Sequence, residues 1–261
     1  MEIIIPAYNC TKTLNRTLDS LISQTNQNFS VLVVDDCSTE DIKSIADTYV
    51  DRLNITYVRN DKNVGCGMSR QRGLDESKSD YVTFLDSDDI LLPDAVGIWL
   101  SEIDKSKPDF IYSQPLYKSP KRLEILYERC IFLCHGKVYN TEFLRKYDIH
   151  ESERVKYCDD SYLNWQVLDL AENISFLKEA TYLQFETEGS ITSRPMFESL
   201  AYFDGVMAKQ LAKQQILRFK DNPLEQYEKI RKQVDKLLFN NREYHQKQIE
   251  EIKKIVGAKI K

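Results

Sequence analysis

The sequence has few of the residues that mark fibrous, low-complexity or membrane proteins. Its 261 residues include 8 glycines and 7 prolines, too few for a collagen-like chain or a flexible linker. No apolar run approaches the roughly 18 residues that a membrane span needs, and the best runs are residues 95–100 and 130–134. Hydrophobic residues make up 42% and charged residues 30%, which is typical of a folded globular protein.

The sequence also lacks a secretory signal and a paired cysteine spacing. Only three isoleucines separate Met1 and Glu2 from Pro6, which is too short for a signal peptide. No second pair and no His-x3-His lies near Cys130 and Cys134, which argues against a structural zinc site. We therefore expect a cytoplasmic protein with reduced thiols.

Charge is unevenly distributed along the chain. Residues 205–261 contain 14 Lys and Arg against 7 Asp and Glu, a net charge of +7, which leaves −12 for residues 1–204. The acidic main part makes duplex nucleic acid a poor partner. Three roles remain open for the basic tail: helices that pack on the main domain, a homodimer interface, or peripheral contact with the inner face of a membrane or with a polyanionic acceptor.

Hydrophobic runs that alternate with helical patterns predict an α/β fold with a mostly parallel sheet. The predicted strands are 2–6, 30–34, 54–59 and 81–85, and the predicted helices are 12–24, 41–50, 67–77 and 93–104. Residues 109–194 are less regular, with a strand predicted at 110–112 and a helix at 159–171. From Pro195 the pattern is helical throughout, so we place a boundary near residue 195.

Polar residues follow three of the predicted strands. They are Tyr8 and Asn9, then Asp35 and Asp36, and finally the segment 86–89. In an open parallel sheet, ligands bind at the carboxyl ends of strands. We therefore expect a binding site where these three strand ends converge.

The sharpest of these features is the pair Asp86 and Asp88. Carboxylates two residues apart on an extended segment point to the same side, and Mg2+ or Mn2+ prefers such oxygen ligands, often together with substrate phosphates. The pattern predicts a divalent-cation site, although loop acids without a ligand, or Asp89 as a cap of the next turn, would look the same. The segment 63–67 adds two glycines before a helix, which favours anions, and Arg70 one turn later would reach a phosphate or order the aspartates.

The chain closely resembles the family 2 glycosyltransferases with the GT-A fold. The likeness covers about residues 1–194 and rests on five segments in the family's order: Ile3–Asn9, Val33–Ser38, Asn63-x-Gly65, Arg70-x-x-Gly73 and Phe84–Asp89. The resemblance implies a Rossmann-like catalytic domain over 1–194, with a nucleotide-binding half at 1–108 and an acceptor-binding half at 109–194. Residues 195–261 would form a basic helical extension.

The same resemblance implies a function and a set of site residues. The family transfers a sugar, with inversion, from a nucleotide-diphospho-sugar, usually UDP-linked, to an acceptor such as a surface glycan or polymer. The residues that would hold the nucleotide sugar are Pro6, Tyr8, Asp35, Asp36, Asn63, Arg70, Asp86 and Ser87, and those that would hold Mn2+ or Mg2+ are Asp88 and Asp86. The Gln-x-x-Arg-Trp motif of processive synthases is absent, which favours addition of single sugars.

Family members carry a late acidic pair whose aspartate is the catalytic base, and the matching pair here is Asp159 and Asp160. We predict that Asp160 is the base, with Asp159 as the alternative because it replaces the usual glutamate. The competing interpretation is that Asp159 only caps the helix that follows and Asp160 only favours its dipole. Gln71, where an asparagine often follows the arginine, is a second departure from the family pattern.

Other residues have less specific signals. His135 would line the acceptor or diphosphate site, or be a packed imidazole. By family analogy, Tyr182, Ser190, Thr192 and Arg194 would close a loop over the donor. Trp99 and Trp165 lie on helical patterns and are predicted core residues.

Two rival functions remain open. A metal-dependent phosphatase also uses Asp-x-Asp after a strand, but on its first strand rather than the fourth. A non-catalytic nucleotide-sugar-binding or scaffold protein would keep the fold without needing the carboxylates.

Overall fold

The structure is a computed structural model that describes residues 1–119, 123–125, 133–186 and 197–259. The strands of these residues are β1 Glu2–Ala7, β2 Ser30–Asp35, β3 Ile55–Arg59, β4 Tyr81–Phe84, β5 Ile90–Leu91, β6 Phe110–Lys118, β7 Leu123–Ile125, β8 Lys137–Asn140 and β9 Ile174–Phe185. The helices are α1 Leu14–Ile22, α2 Ile42–Asp47, α3 Cys66–Glu76, α4 Ala95–Ser106, α5 Thr141–Lys146, α6 Asp159–Leu170, α7 Phe197–Ile216, α8 Glu225–Asn240 and α9 Arg242–Lys259. The predicted boundary near residue 195 lies outside the described residues.

One sheet with the strand order β3-β2-β1-β4-β8-β6-β9-β5 organises the chain, and β7 pairs with β6. Strands β1 to β4 are all parallel to one another, as the alternation of strands and helices predicts. Every strand and helix predicted within 1–108 is present, with ends shifted by at most three residues. The α/β fold class is confirmed.

The first strand shows why short β-branched runs define this sheet. Ile3, Ile4 and Ile5 are all completely buried, because helices cover both faces of the parallel half. Ile4 packs in the apolar cluster on one face, whereas Ile3 and Ile5 pack in the cluster on the other. A strand buried on both faces reads as a continuous apolar run rather than as an alternating pattern.

The second half of the sheet is mixed, and the sequence predicts little of it. Strand β8 pairs antiparallel with both β4 and β6, whereas the 12-residue β9 runs parallel to β6. The pairing of β6 with β9 contains register shifts near Gln114. Lys178 and Glu179 interrupt the apolar pattern of β9, which is why no strand is predicted there.

The C-terminal helices pack on the main domain through an apolar stripe. Ile230, Val234 and Leu238 of α8 are buried in the cluster that contains residues of α6, and Ile249 and Ile252 of α9 pack beside β6 and β9. This is the first of the three roles considered for the tail. Among the helices of the described residues, none is both long enough and apolar enough to cross a membrane.

Helix α3 lies against β1 at a glycine, and this contact yields a first prediction. A Cβ placed on Gly73 would lie 2.3 Å from Cγ2 of Ile4, so Gly73→Ala should lower the free energy of unfolding by about 1–3 kcal/mol through overpacking. Urea denaturation monitored by circular dichroism measures the change.

Gly97 of α4 is the matched control, because a Cβ there would meet nothing closer than 3.7 Å. Gly97→Ala should leave stability unchanged or raise it by about 0.4–1 kcal/mol. Equal stability losses in the two variants would contradict the proposed contact between Gly73 and Ile4.

Candidate functional site

The carboxyl ends of β1, β2 and β4 meet at one edge of the sheet, as predicted. Ala7 pairs with Asp35 in the parallel register, and the amide of Asp36 donates to the carbonyl of Ala7 over 2.8 Å. On the other side of β1, the amide of Leu85 donates to the carbonyl of Ile4 over 3.0 Å. The polar residues that follow these strands are therefore neighbours.

A buried arginine joins this edge to the late acidic pair. Nη2 of Arg70 lies 2.9 Å from Oδ1 of Asp86, and Nη1 lies 2.8 Å from Oδ2 of Asp159. The same Nη1 also contacts Oδ1 of Asp160. Only 3% of the Arg70 side chain is exposed. We call Arg70, Asp86, Asp159 and Asp160, with His135, the Arg70 cluster.

Two glycines at the start of α3 bring Arg70 to α6. Gly65 has a φ of +91°, a conformation that other residues rarely adopt. A Cβ on Gly67 would lie 2.8 Å from Cβ of Asp159, so only glycine permits the helices to approach this closely. The glycines therefore serve a close contact between protein segments, in addition to the anion site that the sequence predicts there.

The late acidic pair does not act as a simple helix cap. Cys158 occupies the N-cap position of α6, and both aspartate side chains turn to Arg70 instead. Oδ2 of Asp160 also accepts from the amide of Cys134 over 3.2 Å. The structure therefore brings the predicted base together with the predicted donor-binding edge.

Burial and mutual repulsion shape the acid–base properties of the Arg70 cluster. Burial raises the pKa of the Asp159 carboxyl to about 6, and the negative charges of Asp160 and Asp86 add to the rise against the opposing charge of Arg70. Burial also acts to raise the pKa of Asp86, but Arg70 and His135 outweigh it, so this pKa lies far below its ordinary value. Burial lowers the pKa of His135, yet its contact with Asp86 produces a net increase.

The segment 86–89 is a turn rather than the extended segment that the spacing argument assumes. The amide of Asp89 donates to the carbonyl of Asp86 over 3.1 Å. The turn brings residues 86 and 89 to the same side, with Nε2 of His135 3.0 Å from Oδ2 of Asp86. The side chain of Asp88, whose carbonyl accepts from Arg16, is half-buried and is not part of this group.

Asp86, Asp89 and His135 form a candidate metal site. One ligand atom from each lies within 4.8 Å of the other two. Carboxylates suit Mg2+ and Mn2+, whereas an imidazole favours a transition metal over Mg2+. The donor set therefore fits Mn2+ better than Mg2+. Asp89 is the most constrained of the three, because Tyr182 and the amide of Phe185 each donate to one of its oxygens over 2.7 Å.

Tyr182 has a different role from the loop residue predicted by family analogy. It lies in β9 and is completely buried, its hydroxyl accepts from the amide of Asp86 over 3.1 Å, and its ring stacks on His135 with 4.7 Å between centroids. Tyr182 thus supports the candidate metal site, and the loop assignment is wrong for this residue. The other predicted loop residues, Ser190, Thr192 and Arg194, lie outside the described residues.

Of the residues predicted to hold the nucleotide, some are exposed to solvent and others already accept hydrogen bonds within the protein. Tyr8 is 51% exposed and Asn63 is exposed, so both are accessible to a ligand. Asp35 is buried, and Tyr57, Ser38 and Arg59 donate to its two oxygens.

Burial acts to raise the pKa of Asp35. The hydrogen bonds from Ser38 and Tyr57, with the charge of Arg59, outweigh burial and produce a net decrease. Asp35 is therefore a carboxylate whose two oxygens already accept hydrogen bonds within the protein.

Asp36 organises the loop that precedes α3. Its carboxylate accepts from the amides of Val64 and Gly65 over 2.8 Å and from the Asn60 side chain over 2.9 Å. The Asn63 side chain donates to the carbonyl of Asp36 over 3.3 Å. Pro6 is buried in β1, and Ser87 is half-buried in the 86–89 turn. Asp36 therefore connects the end of β2 to the glycine segment.

The two tryptophans are core residues, as predicted. Trp99 is completely buried, and Trp165 is 8% exposed.

Glu151 is a buried acid beside the Arg70 cluster that the sequence analysis does not identify. It is 2% exposed, and neither carboxyl oxygen has a hydrogen-bond partner among the described residues. Burial, with the charges of Asp159 and Asp160, raises its pKa well above the ordinary value against the opposing charge of Arg70. Its sequence neighbours are polar, so no local signal distinguishes it from a surface acid.

Glu151 predicts a specific dependence of stability on pH. Because its pKa is raised in the folded chain, the unfolded chain releases this proton first as the pH rises above about 4.5, and the folded state loses about 1.4 kcal/mol per pH unit in that window. Glu151→Gln cannot lose the proton, so its stability relative to the wild type should increase between pH 5 and pH 7.5. Urea denaturation of both proteins at the two pH values measures this difference. A difference that does not change with pH would show that Glu151 titrates normally.

The sequence profile described as Glycosyl transferase family 2 matches residues 2–159. Poly(ribitol-phosphate) beta-N-acetylglucosaminyltransferase TarS of Staphylococcus aureus is 29% identical over 197 residues, which are 69% of this chain and 34% of TarS. Glycosyltransferase GlyA of Streptococcus pneumoniae is 26% identical over 222 residues, which are 74% of this chain and 31% of GlyA. The chain thus spans about a third of the length of these curated relatives.

Solved structures show the same fold. The crystal structure of S. aureus TarS residues 1–349 with UDP-GlcNAc has a TM-score of 0.74 and 25% identity, and the alignment covers 86% of this chain and 68% of that one. Mannosyltransferase PcManGT from Pyrobaculum calidifontis, solved with GDP-Man and Mn2+, has a TM-score of 0.63 at 15% identity, over 90% of this chain and 69% of that one. The second likeness concerns the fold alone.

Proposed function

Because this chain belongs to glycosyl transferase family 2, we propose that it moves a single sugar from a nucleotide-diphospho-sugar to an acceptor hydroxyl, with inversion at the anomeric carbon. We propose a UDP-linked donor, and UDP-GlcNAc is the first to test because the similar TarS fragment was solved with it. The acceptor would be a cell-wall, capsule or other surface glycan, a class supported by the similarity to TarS, a poly(ribitol-phosphate) glycosyltransferase.

One observation carries this proposal: Arg70 joins the donor edge to the late acidic pair. Its guanidinium contacts Asp86 on one side and Asp159 and Asp160 on the other. A displacement reaction needs its base within hydrogen-bond reach of a nucleophile that attacks the donor carbon. A shared buried cation keeps the acidic pair within a few ångströms of the donor edge.

Asp160 is the proposed general base. A hydroxyl is a poor nucleophile, and a positioned carboxylate that removes its proton accelerates attack by about 10²–10⁴-fold. Arg70 and the amide of Cys134 fix both oxygens of Asp160.

The candidate metal site lies where a donor diphosphate would arrive. Asp86 would hold the cation together with Asp88, as the family resemblance implies, or with Asp89 and His135, as the geometry of the turn favours. A bound Mn2+ would supply Lewis-acid stabilisation of the leaving diphosphate. Tyr182 orients both His135 and Asp89 for this purpose.

The nucleotide would bind at the carboxyl ends of β1 and β2. Tyr8 and Asn63 are exposed there and are the proposed contacts to base and ribose. Asp35 and Asp36 contribute by holding the surrounding loops, because their oxygens already accept hydrogen bonds. We also propose a division into a catalytic part over 1–194 and a basic helical extension over 195–261, together with a cytoplasmic location. The basic helices would form a homodimer interface or make peripheral contact with the inner face of the membrane.

A nucleotide-sugar panel tests the donor and the metal. UDP-GlcNAc with Mn2+ should raise the melting temperature by several degrees, since a ligand at 100 times its Kd adds about 2.7 kcal/mol. Asp88→Ala should abolish the part of this shift that depends on Mn2+, because the family resemblance makes it a metal ligand. Differential scanning fluorimetry with and without Mn2+ measures the shifts.

His135→Ala and Asp51→Ala complete the panel. Loss of the Mn2+-dependent shift in His135→Ala but not in Asp88→Ala would assign the cation to Asp86, Asp89 and His135. Asp51 is an exposed acid that precedes the amino end of β3, whereas the site lies at the carboxyl ends of the strands, so Asp51→Ala should behave as the wild type. The absence of a shift with every nucleotide sugar would contradict the proposed donor.

Substitution of each member of the acidic pair tests the base. Asp160→Asn should keep donor binding but lower kcat by about 10²–10⁴-fold, because an amide cannot accept the proton. Asp159→Asn should retain most activity, because Asp160 is still present, and it should lose any change of rate near pH 6 that the titration of Asp159 produces in the wild type. Released UDP measured at pH 5–8 gives both quantities.

Asp159→Asn is thus the matched control for Asp160→Asn. Full transfer by Asp160→Asn would refute the assignment of the base. Loss of activity only in Asp159→Asn would move the assignment to Asp159. Donor binding without turnover in the wild type would favour the non-catalytic alternative.

A further inference from the structure

The three residues that enter α6 are held by a side chain from the C-terminal extension. The carboxylate of Asp204, in α7, accepts from the backbone amides of Lys156, Tyr157 and Cys158. The donor–acceptor distances to Oδ2 are 3.1, 2.7 and 2.8 Å. We call residues 156–158 the entry segment, because Asp159 follows it directly as the first residue of α6.

The Asp204 carboxylate is suited to hold the entry segment because it is buried and charged. It is 8% exposed, and a carboxylate binds amide donors more strongly than a neutral acceptor does. Three amides that point to one oxygen leave the entry segment little freedom to shift. Cys158 also faces α7 directly, since a Cβ on Gly205 would lie 3.5 Å from its Sγ.

The opposite end of α6 has a similar contact, with the roles reversed. Asp169, in α6, accepts from the amides of Leu224 and Tyr227 over 2.8 and 3.0 Å, and its Oδ2 lies 3.2 Å from Nζ of Lys220. Asp204 and Asp169 are thus two buried carboxylates that attach the extension to the two ends of one helix. Ten residues separate Asp159 from Asp169, which is about 15 Å along the helix.

We propose that Asp204 is a positioning residue for the catalytic base, so that the C-terminal extension completes the active site. The proposal rests on the proposed glycosyl transfer. Asp204 touches no reacting atom, and it acts through the entry segment, which fixes where Asp159 and Asp160 begin relative to Arg70. The family profile ends at residue 159, so this support comes from a part of the chain that the profile does not describe.

The effect on the rate follows from the geometry of proton transfer. A base displaced by about 1 Å costs on the order of 10²-fold in rate. Among the described residues, the hydrogen bonds found for Asp204 come from the entry segment and not from the donor edge on β1, β2 and β4. Loss of Asp204 should therefore reduce kcat and leave the KM for the donor nearly unchanged.

The experiment compares Asp204→Asn with Asp169→Asn in the full chain. Both changes replace a buried carboxylate that accepts backbone amides and joins the extension to α6, so both should lower the melting temperature. Asp204→Asn should lower kcat at least about ten-fold with the donor KM within about two-fold of the wild type. Asp169→Asn should keep kcat within about two-fold, because its contacts lie at the far end of the helix.

The pH dependence of kcat and the activity of Asp204→Glu distinguish a positioning role from a general loss of stability. Asp204→Asn should shift the acidic limb of the kcat profile, because the Asp159–Asp160 pair changes its distance from Arg70, whereas Asp169→Asn should not. Asp204→Glu, which keeps the charge, should regain part of the lost kcat, and it takes the place of Asp204→Asn where that variant does not fold. Equal losses of kcat in the Asp204 and Asp169 variants, or none in either, would overturn the proposal.

Hydrogen exchange decides the proposal independently of turnover. In Asp204→Asn, amides 156–162 should exchange faster, while in Asp169→Asn the faster amides should be 220–227. Unchanged protection of 156–162 in Asp204→Asn would refute the positioning role. A wild type that turns over no nucleotide sugar, with the exchange pattern as expected, would instead refute the proposed function and leave Asp204 as the anchor of the acidic pair.

Discussion

One buried arginine holds three half-buried carboxylates together at the edge of the sheet. Arg70 contacts Asp86, Asp159 and Asp160 while 3% of its side chain is exposed. Removing one member of a buried charged group leaves its partners uncompensated, which is more costly than the net stabilisation of the group itself. The glycines that admit α3 to α6, the contact of His135 with Asp86, and the anchoring of α6 all serve this arrangement. The site is therefore organised by ion pairs with Arg70 rather than by apolar packing.

The same contacts give neighbouring carboxylates of the site different pKa values. Arg70 and His135 keep Asp86 ionised, which suits a residue that holds a cation. Burial and the neighbouring acids instead raise the pKa of Asp159 to about 6. The pKa values of Asp86 and Asp159 are thus shifted in opposite directions. Asp86 contacts both Arg70 and His135, whereas Asp159 contacts Arg70 and lies beside the negative charge of Asp160.

The sequence predicts the parallel half of the fold well and the site only in part. Runs such as Ile3–Ile5 are short, β-branched and bounded by turn residues, so periodicity identifies them. The association of Arg70 with Asp159 depends on contacts between residues 89 positions apart, which no local pattern encodes. The prediction that Asp86 and Asp88 lie on an extended segment is wrong, because a hydrogen bond from the Asp89 amide closes residues 86–89 into a turn. Glu151 and Asp204 have no signal at all, since a buried acid and an exposed one look alike in sequence.

Helix α6 is the element through which these parts depend on one another. Its first two residues, Asp159 and Asp160, contact Arg70. Its own Leu163 and Trp165 pack in the apolar core, and Asp169 in its last turn binds backbone amides at the start of α8. A helix that must present two mutually repelling carboxylates at its N-terminus needs restraint from outside, because their repulsion favours separation. Arg70 of α3 supplies part of that restraint through its contacts with Asp159 and Asp160. The extension adds a further restraint through Asp204, which accepts from the amides of the entry segment. In the proposed reaction, donor binding and placement of the base would therefore depend on different parts of the chain.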